Sequence, residues 1–166
     1  MEELKKMETI LAMIEHNARM EDEQMAALAR IDAAEIAKII AKCEKEQIVL
    51  GYNTVIDWEK IGRQLVTALI EVRVTPKRGE GFDHIAERLA SFEEIDSLYL
   101  MSGGFDLALI IEGRTMREVA MFVAEKLAQM EGVTSTATHF VLKKYKDRGI
   151  IFKSNIKPDR REPYSV

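Results

Sequence analysis

Several features that define common protein classes are scarce or missing in these 166 residues. Cys43 is the only cysteine, so the chain cannot form an internal disulfide. His16, His84 and His139 lack the short spacing of a metal site, so we expect no metal and no other cofactor. No apolar run approaches the roughly 20 residues of a membrane span, and the N-terminus lacks a signal-peptide pattern. We therefore expect a cytoplasmic protein that does not contact a membrane.

The remaining composition is typical of a globular protein, with 47% hydrophobic and 31% charged residues. Its charge is uneven: residues 1–62 carry a net −5, residues 63–142 a net −4 and residues 143–166 a net +5. No phosphate-binding loop and no nucleophile beside a base is evident in the sequence. We therefore do not expect an enzyme.

Three short helices are predicted at the N-terminal end. Residues 2–17 and 22–30 carry apolar side chains at helical spacing. Asp32 is expected to cap a third helix, with Glu35 placed to complete a capping box. A tight turn between the second and third helices is typical of a helix-turn-helix. Residues 48–56 then predict two short extended pieces around a bend, as in a winged form of that motif.

The rest of the chain predicts the order strand, helix, strand, turn, strand, helix, strand. This is the ferredoxin-like βαββαβ pattern, in which both helices cover one face of a four-stranded antiparallel sheet. The α+β fold therefore joins a helix-turn-helix to a ferredoxin-like domain. The predicted segments are residues 66–74, 82–92, the hairpin 98–111, 115–130 and 133–142.

The hairpin turn is the first candidate site. Its Ser-Gly-Gly sequence lets the chain reverse tightly and would leave backbone N–H groups exposed beside the Asp106 carboxylate. This combination could hold a small zwitterion, or it could simply close a hairpin. In the last strand, Thr134, Thr136 and Thr138 share one face. They reflect either strand propensity or a polar pocket on the uncovered side of the sheet.

Several fragments, in this order and spacing, resemble the Lrp/AsnC family of bacterial and archaeal transcription regulators. The similarity covers nearly the whole chain. It is carried by Asn17-Ala18-Arg19, Met25-Ala26, Ile31-Asp32, the run from Cys43 to Tyr52, Ser102-Gly103-Gly104-Phe105-Asp106, Gly132-Val133 and the run from Thr136 to Leu142.

The resemblance implies a helix-turn-helix domain at residues 1–62, a RAM effector domain at 63–146 and a basic tail at 147–166. It also implies a homodimer formed through the open sheet faces, higher homo-oligomers, and an amino acid bound between dimers near the turn. By this analogy the effector-binding residues are Ser102, Gly103, Gly104, Phe105, Asp106, Thr136 and Thr138.

The third helix would contact double-stranded DNA. The residues predicted to do so are Lys38, Lys42, Lys45, Ala33, Ala34 and Ala37. Its outward positions carry no Arg, Asn or Gln, the residues that usually pair with base edges. An alternative is therefore an effector-binding oligomer whose helix-turn-helix has lost sequence-specific DNA binding and serves protein contacts. The basic tail could dock on the acidic helices, contact phosphates, or extend into solvent.

Overall fold

A computed structural model describes residues 1–76 and 81–152. The chain divides into two compact units, residues 1–54 and 55–166. This division precedes the predicted boundary at residue 62. Residues 56–60 line a cavity together with residues of the sheet. Within the described part of the chain, no helix is long and apolar enough to cross a membrane.

The first unit consists of three helices around one small core. They are α1 (Glu2–His16), α2 (Asp22–Ala29) and α3 (Ala33–Lys45). The buried core residues are Ile10, Ile14, Met25, Ile36, Ile39 and Cys43. Arg30 ends α2 in the left-handed conformation, at φ 57°, and allows the tight turn into α3. The predicted helices and the turn between α2 and α3 are confirmed.

The start of α3 differs from the prediction in one contact. Asp32 caps the helix as expected, since its side chain accepts a 2.9 Å hydrogen bond from the Ala34 N–H. Glu35, however, accepts a 2.7 Å hydrogen bond from Lys6 Nζ and does not complete a capping box. The Glu35 carboxylate also raises the pKa of Lys6 above its ordinary value. A tertiary partner on α1 therefore replaces the predicted local one.

The two extended pieces predicted in residues 48–56 are not strands. Residues 46–65 are all described and none of them lies in a strand. The N–H groups of Ile48 and Val49 donate back to the Cys43 carbonyl, at 2.8 and 3.1 Å. Tyr52 Oη donates to Glu44 Oε1 at 2.8 Å. The chain thus folds back on the end of α3 and forms no wing.

The second unit contains a four-stranded antiparallel sheet in the order β2-β3-β1-β4, the ferredoxin-like order. Its elements are a 3-10 helix (Trp58–Ile61), β1 (Val66–Val74), α4 (Asp83–Ala90), β2 (Ile95–Leu100), β3 (Leu107–Gly113), α5 (Met116–Phe122) with a π-helical continuation (Val123–Leu127), and β4 (Val133–Phe140). The predicted α+β fold is confirmed, with β1 in the interior of the sheet.

Both long helices pack on one face of this sheet. The buried core there includes Ala68, Ile70, Val72, Val74, Ile85, Leu89, Leu107, Leu109, Ile111, Val119, Phe122 and Leu127. Thr115 caps α5 by accepting from the Glu118 N–H at 3.1 Å. Glu118 Oε2 in turn accepts from the N–H of Arg114, at 2.7 Å.

Thr136 and Thr138 of β4 lie on the face opposite to the one expected. Thr136 pairs with Val72 and Thr138 with Ile70, and both partners belong to the helix-covered core. Residues directly opposite each other in an antiparallel pair share a face. The prediction that these hydroxyls face the uncovered side is therefore wrong. That side carries His139 instead, with Nε2 3.3 Å from Glu71 Oε1.

A small hairpin follows the main sheet. Strands β5 (Lys146–Asp147) and β6 (Ile150–Ile151) form their own two-stranded sheet. Arg148 and Gly149 have φ values of 44° and 82°, as a two-residue hairpin turn requires. Ile150 and Ile151 thus pair locally with Asp147 and Lys146, and the predicted tail begins inside this hairpin. Residues 153–166 lie outside the described residues, so the hypotheses on the basic tail stay predictions.

Candidate functional site

The predicted turn is a loop of six residues, the β2–β3 loop (Met101–Asp106). The Met101 N–H donates to the Asp106 carbonyl at 2.8 Å and closes it. The reversal is therefore wider than the tight Gly-Gly turn that the sequence predicted. Ser102, Gly103 and Gly104 are exposed at its tip, and Phe105 and Asp106 are partly buried.

Contacts with the end of β1 hold this loop in place. Asp106 Oδ2 accepts from the Val74 N–H at 2.8 Å, and the Asp106 N–H donates to the Val72 carbonyl at 3.0 Å. Arg73 Nε donates to the Gly104 carbonyl at 2.9 Å. Asp106 is thus a loop-stabilising residue, but only one of its two carboxylate oxygens is occupied by these bonds.

The loop also offers unused donors. The N–H groups of Ser102, Gly103, Gly104 and Phe105 make no hydrogen bond to any described residue. Successive backbone N–H groups in a turn conformation are a known source of anion-binding sites. Beside them, the carboxylate of Asp106 can accept from a cationic donor. The β2–β3 loop therefore combines acceptors and donors suited to a ligand that carries both charges.

The structure does not bring the β4 threonines to this loop. Strand β1 lies between β3 and β4, and Thr136 and Thr138 face the helix-covered side. Their role in binding an effector stays a prediction. Among residues 1–76 and 81–152, no group of His, Cys, Asp and Glu side chains could hold a metal ion.

Helix α3 exposes the side chains that were predicted to meet DNA. Ala34, Ala37, Lys38, Lys42 and Lys45 are exposed, whereas Ala33 is partly buried. Lys42 Nζ lies 3.4 Å from Glu3 Oε1 of α1, an exposed contact that solvent weakens. The exposed side of α3 is therefore a row of small side chains flanked by three lysines.

A cavity in the second unit was not predicted from the sequence. It has a volume of about 560 Å³ and lies at the end of β1 opposite to the β2–β3 loop. We call it the Trp58 cavity; its polar and aromatic lining includes Trp58, Arg63, Thr67, Glu112, Lys144 and Phe152. These residues come from separate segments of the chain, so no local motif marks the site.

Comparison with known proteins identifies the family. The sequence model described as "Lrp/AsnC ligand binding domain" matches residues 67–151, about half of the chain. YugG of Bacillus subtilis, named as an uncharacterised helix-turn-helix transcriptional regulator, is 48% identical over 146 residues, which cover 87% of this chain and 88% of YugG. The chain belongs to the Lrp/AsnC family of transcription regulators.

Two further comparisons agree with this assignment. The helix-turn-helix transcriptional regulator LrpA of Pyrococcus horikoshii is 28% identical over 137 residues, covering 82% of this chain and 94% of LrpA. The crystal structure of the transcriptional regulator NMB0573 from Neisseria meningitidis, a complex with L-Met, has a TM-score of 0.69 at 22% identity. That likeness covers 86% of this chain and 92% of the other, and it shows a shared fold.

Membership in the Lrp/AsnC family confirms the resemblance drawn from the sequence, and the family is one of regulators and not of enzymes. The matched ligand-binding domain spans the β2–β3 loop and the β5–β6 hairpin. Trp58 and Arg63, in contrast, precede the matched residues.

Proposed function

We propose that this Lrp/AsnC regulator binds a free amino acid at the β2–β3 loop and double-stranded DNA through α3, as a cytoplasmic homodimer or higher homo-oligomer. The observation that carries the effector part is the row of unbonded N–H groups from Ser102 to Phe105 beside the Asp106 carboxylate. Glycine at positions 103 and 104 leaves that backbone accessible.

An amino acid is the ligand class that uses both halves of this arrangement. Its carboxylate can accept from the loop N–H groups, as anions do in other backbone concavities. Its ammonium can donate to the Asp106 oxygen that Val74 does not occupy. The complex of NMB0573 with L-Met supports this ligand class by analogy of fold.

DNA contact through α3 rests on charge and on small side chains. Lys38, Lys42 and Lys45 are placed to neutralise phosphates. Ala34 and Ala37 allow close approach to a groove and apolar contact with thymine methyl groups. Residues 1–54 hold 7 Lys and Arg against 11 Asp and Glu. We therefore expect the nonspecific part of DNA binding to be weak.

The uncovered face of the sheet supports the homo-oligomer. Tyr99 is 56% exposed there, and Leu69 and Ile110 are only partly buried. An apolar patch of this kind on a regulator is a typical protein interface. A second copy of the chain would cover it without any other partner.

Fluorescence anisotropy tests the proposal as a whole. The protein is titrated onto DNA from its own upstream region, with and without a mixture of the common amino acids. We expect sequence-dependent binding whose midpoint shifts with the mixture, because an effector that prefers one state of the regulator changes the population of that state. Lys38→Ala and Lys45→Ala should each reduce the salt slope by about one, whereas Lys146→Ala on the β5–β6 hairpin serves as a matched control.

The exposed alanines of α3 favour one alternative, in which the helix-turn-helix binds protein and no longer reads DNA. The same titration decides between the two. Binding that is indifferent to sequence, abolished by modest salt and unchanged by every amino acid would reject the DNA-reading function and support this alternative.

A further inference from the structure

The Trp58 cavity is a candidate binding site distinct from the β2–β3 loop. Its volume of about 560 Å³ lies within the range of small-molecule sites, roughly 300–1,000 Å³. The pairing of β1 with β3 places the two sites at opposite ends of the sheet. Thr67 and Glu112, which line the cavity, face each other at one end of the β1–β3 pair, and Val72 and Leu107, next to the loop, face each other at the other end.

Most of the carboxylates in the cavity are already neutralised. Asp57 pairs with Lys60 at 3.2 Å. Glu112 Oε1 accepts from Lys144 Nζ at 3.0 Å and from the buried Thr67 hydroxyl at 3.1 Å. Glu59, the remaining lining carboxylate, is exposed and forms no ion pair among the described residues.

Two lining cations have no carboxylate partner. Within residues 1–76 and 81–152, Arg63 and Lys143 take part in no ion pair. Each lies over an aromatic ring: the Arg63 guanidinium is 4.6 Å from the Trp58 ring centroid, and Lys143 Nζ is 4.9 Å from that of Tyr145. With two such cations against Glu59 alone, the unpaired charge of the cavity is positive.

The stacked guanidinium is suited to a carboxylate. Stacking against Trp58 restricts the Arg63 side chain, so less rotamer freedom is lost when it binds an anion. Its planar fork matches the two oxygens of a carboxylate. The rest of the lining is largely apolar and could surround a hydrocarbon body; these residues are Leu65, Val141, Leu142 and Phe152.

We propose that the Trp58 cavity binds a small organic carboxylate with an apolar body, and that Arg63 receives the carboxylate. The ligand is either a simple carboxylic acid or an apolar amino acid. In the second case the ammonium would meet Glu112, whose Oε2 makes no hydrogen bond to a described residue. The proposal is independent of the function assigned to the β2–β3 loop, since the two sites share no residue.

The only tryptophan in the chain lines this cavity, so its fluorescence reports on the site. The full-length protein is titrated with 4-methylpentanoate, L-leucine and 3-methylbutylamine, which share a branched body but differ in charged groups. We expect a saturable change in fluorescence, with a matching heat of binding, for at least one carboxylate and none for the amine. Response to 4-methylpentanoate identifies a simple acid as sufficient, and response to L-leucine alone identifies an amino acid.

Three variants test whether the ligand binds in the Trp58 cavity. Arg63→Gln should lower the affinity at least about tenfold, because a charged hydrogen bond is lost. Arg117→Gln, which removes an exposed charge from α5, should leave the affinity unchanged. Since Arg63→Gln also alters the surroundings of Trp58, calorimetry supplies the second readout. Asp106→Asn should leave binding here intact, which separates this site from the loop.

Three outcomes would overturn the proposal. One is the absence of any fluorescence change or heat for both carboxylates up to about 10 mM, a concentration at which even a weak small-ligand site is occupied. Equal binding of the amine is the second. The third is a fluorescence change that follows protein concentration and not ligand, which would mean that a second copy of the chain occupies the cavity.

Discussion

The two ends of β1 carry two different kinds of candidate site. At the end near Val74, the β2–β3 loop presents backbone N–H groups and one carboxylate from consecutive residues. At the end near Thr67, the Trp58 cavity is lined by side chains that come from the connector, β1, β3 and the segment after β4. The first site is a local feature of sequence, and the second exists only after the chain has folded.

The two candidate sites should respond differently to substitution. A loop made of backbone donors depends on the few contacts that hold it, namely Arg73 to Gly104 and Val74 to Asp106. A cavity made of side chains depends on each lining residue separately. The predictions below separate the two ends, from the largest expected effect to the smallest.

Ile70→Ala should damage both ends together. Ile70 is fully buried in the middle of β1, and truncating a buried isoleucine costs about 2–5 kcal/mol of the free energy of unfolding. Chemical denaturation measures the loss. Leu142→Ala is the control, because that side chain is 89% exposed and its loss should change stability by less than about 0.5 kcal/mol. Equal losses in the two variants would contradict the assigned core.

Thr67→Val should affect only the cavity end. The substitution keeps the shape of a side chain that is 7% exposed but removes the hydroxyl that donates to Glu112. We expect chemical denaturation to show that the free energy of unfolding falls by about 1 kcal/mol. The affinity for an effector at the loop should not change. Thr138→Val provides the comparison, since the Thr138 hydroxyl bonds to no described residue. If Thr138→Val were the more harmful change, the assignment of the Thr67 contact would be wrong.

Arg73→Gln should affect only the loop end. The exposed Arg73 side chain bonds the Gly104 carbonyl, so its removal frees the loop while stability changes by less than about 0.5 kcal/mol. We expect amino-acid affinity to fall about three- to tenfold by calorimetry, because the loop must then be ordered on binding. Arg88→Gln on α4 should have no such effect. Unchanged affinity in Arg73→Gln would show that this contact does not organise the loop.

Lys126→Met should have the smallest effect, since it touches neither end. The hydrogen bond from Lys126 lowers the pKa of Glu94, although both side chains are substantially exposed. A lowered carboxyl pKa stabilises the fold above the ordinary pKa, and this stabilisation is lost as the pH falls through the folded value. The free energy of unfolding should fall by less than about 0.5 kcal/mol near pH 7, and by still less near pH 3. A difference that grows on acidification would have the wrong sign.

Periodicity and capping residues were enough to predict most of the fold. The buried alternation of β1, the Asp32 cap and the strand order all follow from local pattern and connectivity. Tertiary contacts decided the remainder. Glu35 bonds Lys6 of α1, a contact that no local rule contains. The alternation of side chains along β4 puts Thr136 and Thr138 on one face of the sheet. Alternation alone does not say which face the helices cover.

The candidate sites divide in the same way. The residues of the β2–β3 loop could be proposed from sequence because Ser102 to Asp106 are contiguous. The contact of Asp106 with Val74 could not, because it joins segments 32 residues apart. In the Trp58 cavity, neither Trp58 nor Arg63, the cation over its ring, lies in a local sequence motif.

The measurement that tests the central claim most directly is calorimetric titration of individual amino acids into the wild-type protein, Asp106→Asn and Asp96→Asn. Asparagine can still accept the Val74 N–H but lacks the charge that an ammonium needs. The account predicts that at least one amino acid binds the wild type and the Asp96→Asn control equally, and binds Asp106→Asn about ten- to a hundredfold more weakly. Equal affinity in all three proteins, or no binding to any, would contradict an effector site at the β2–β3 loop.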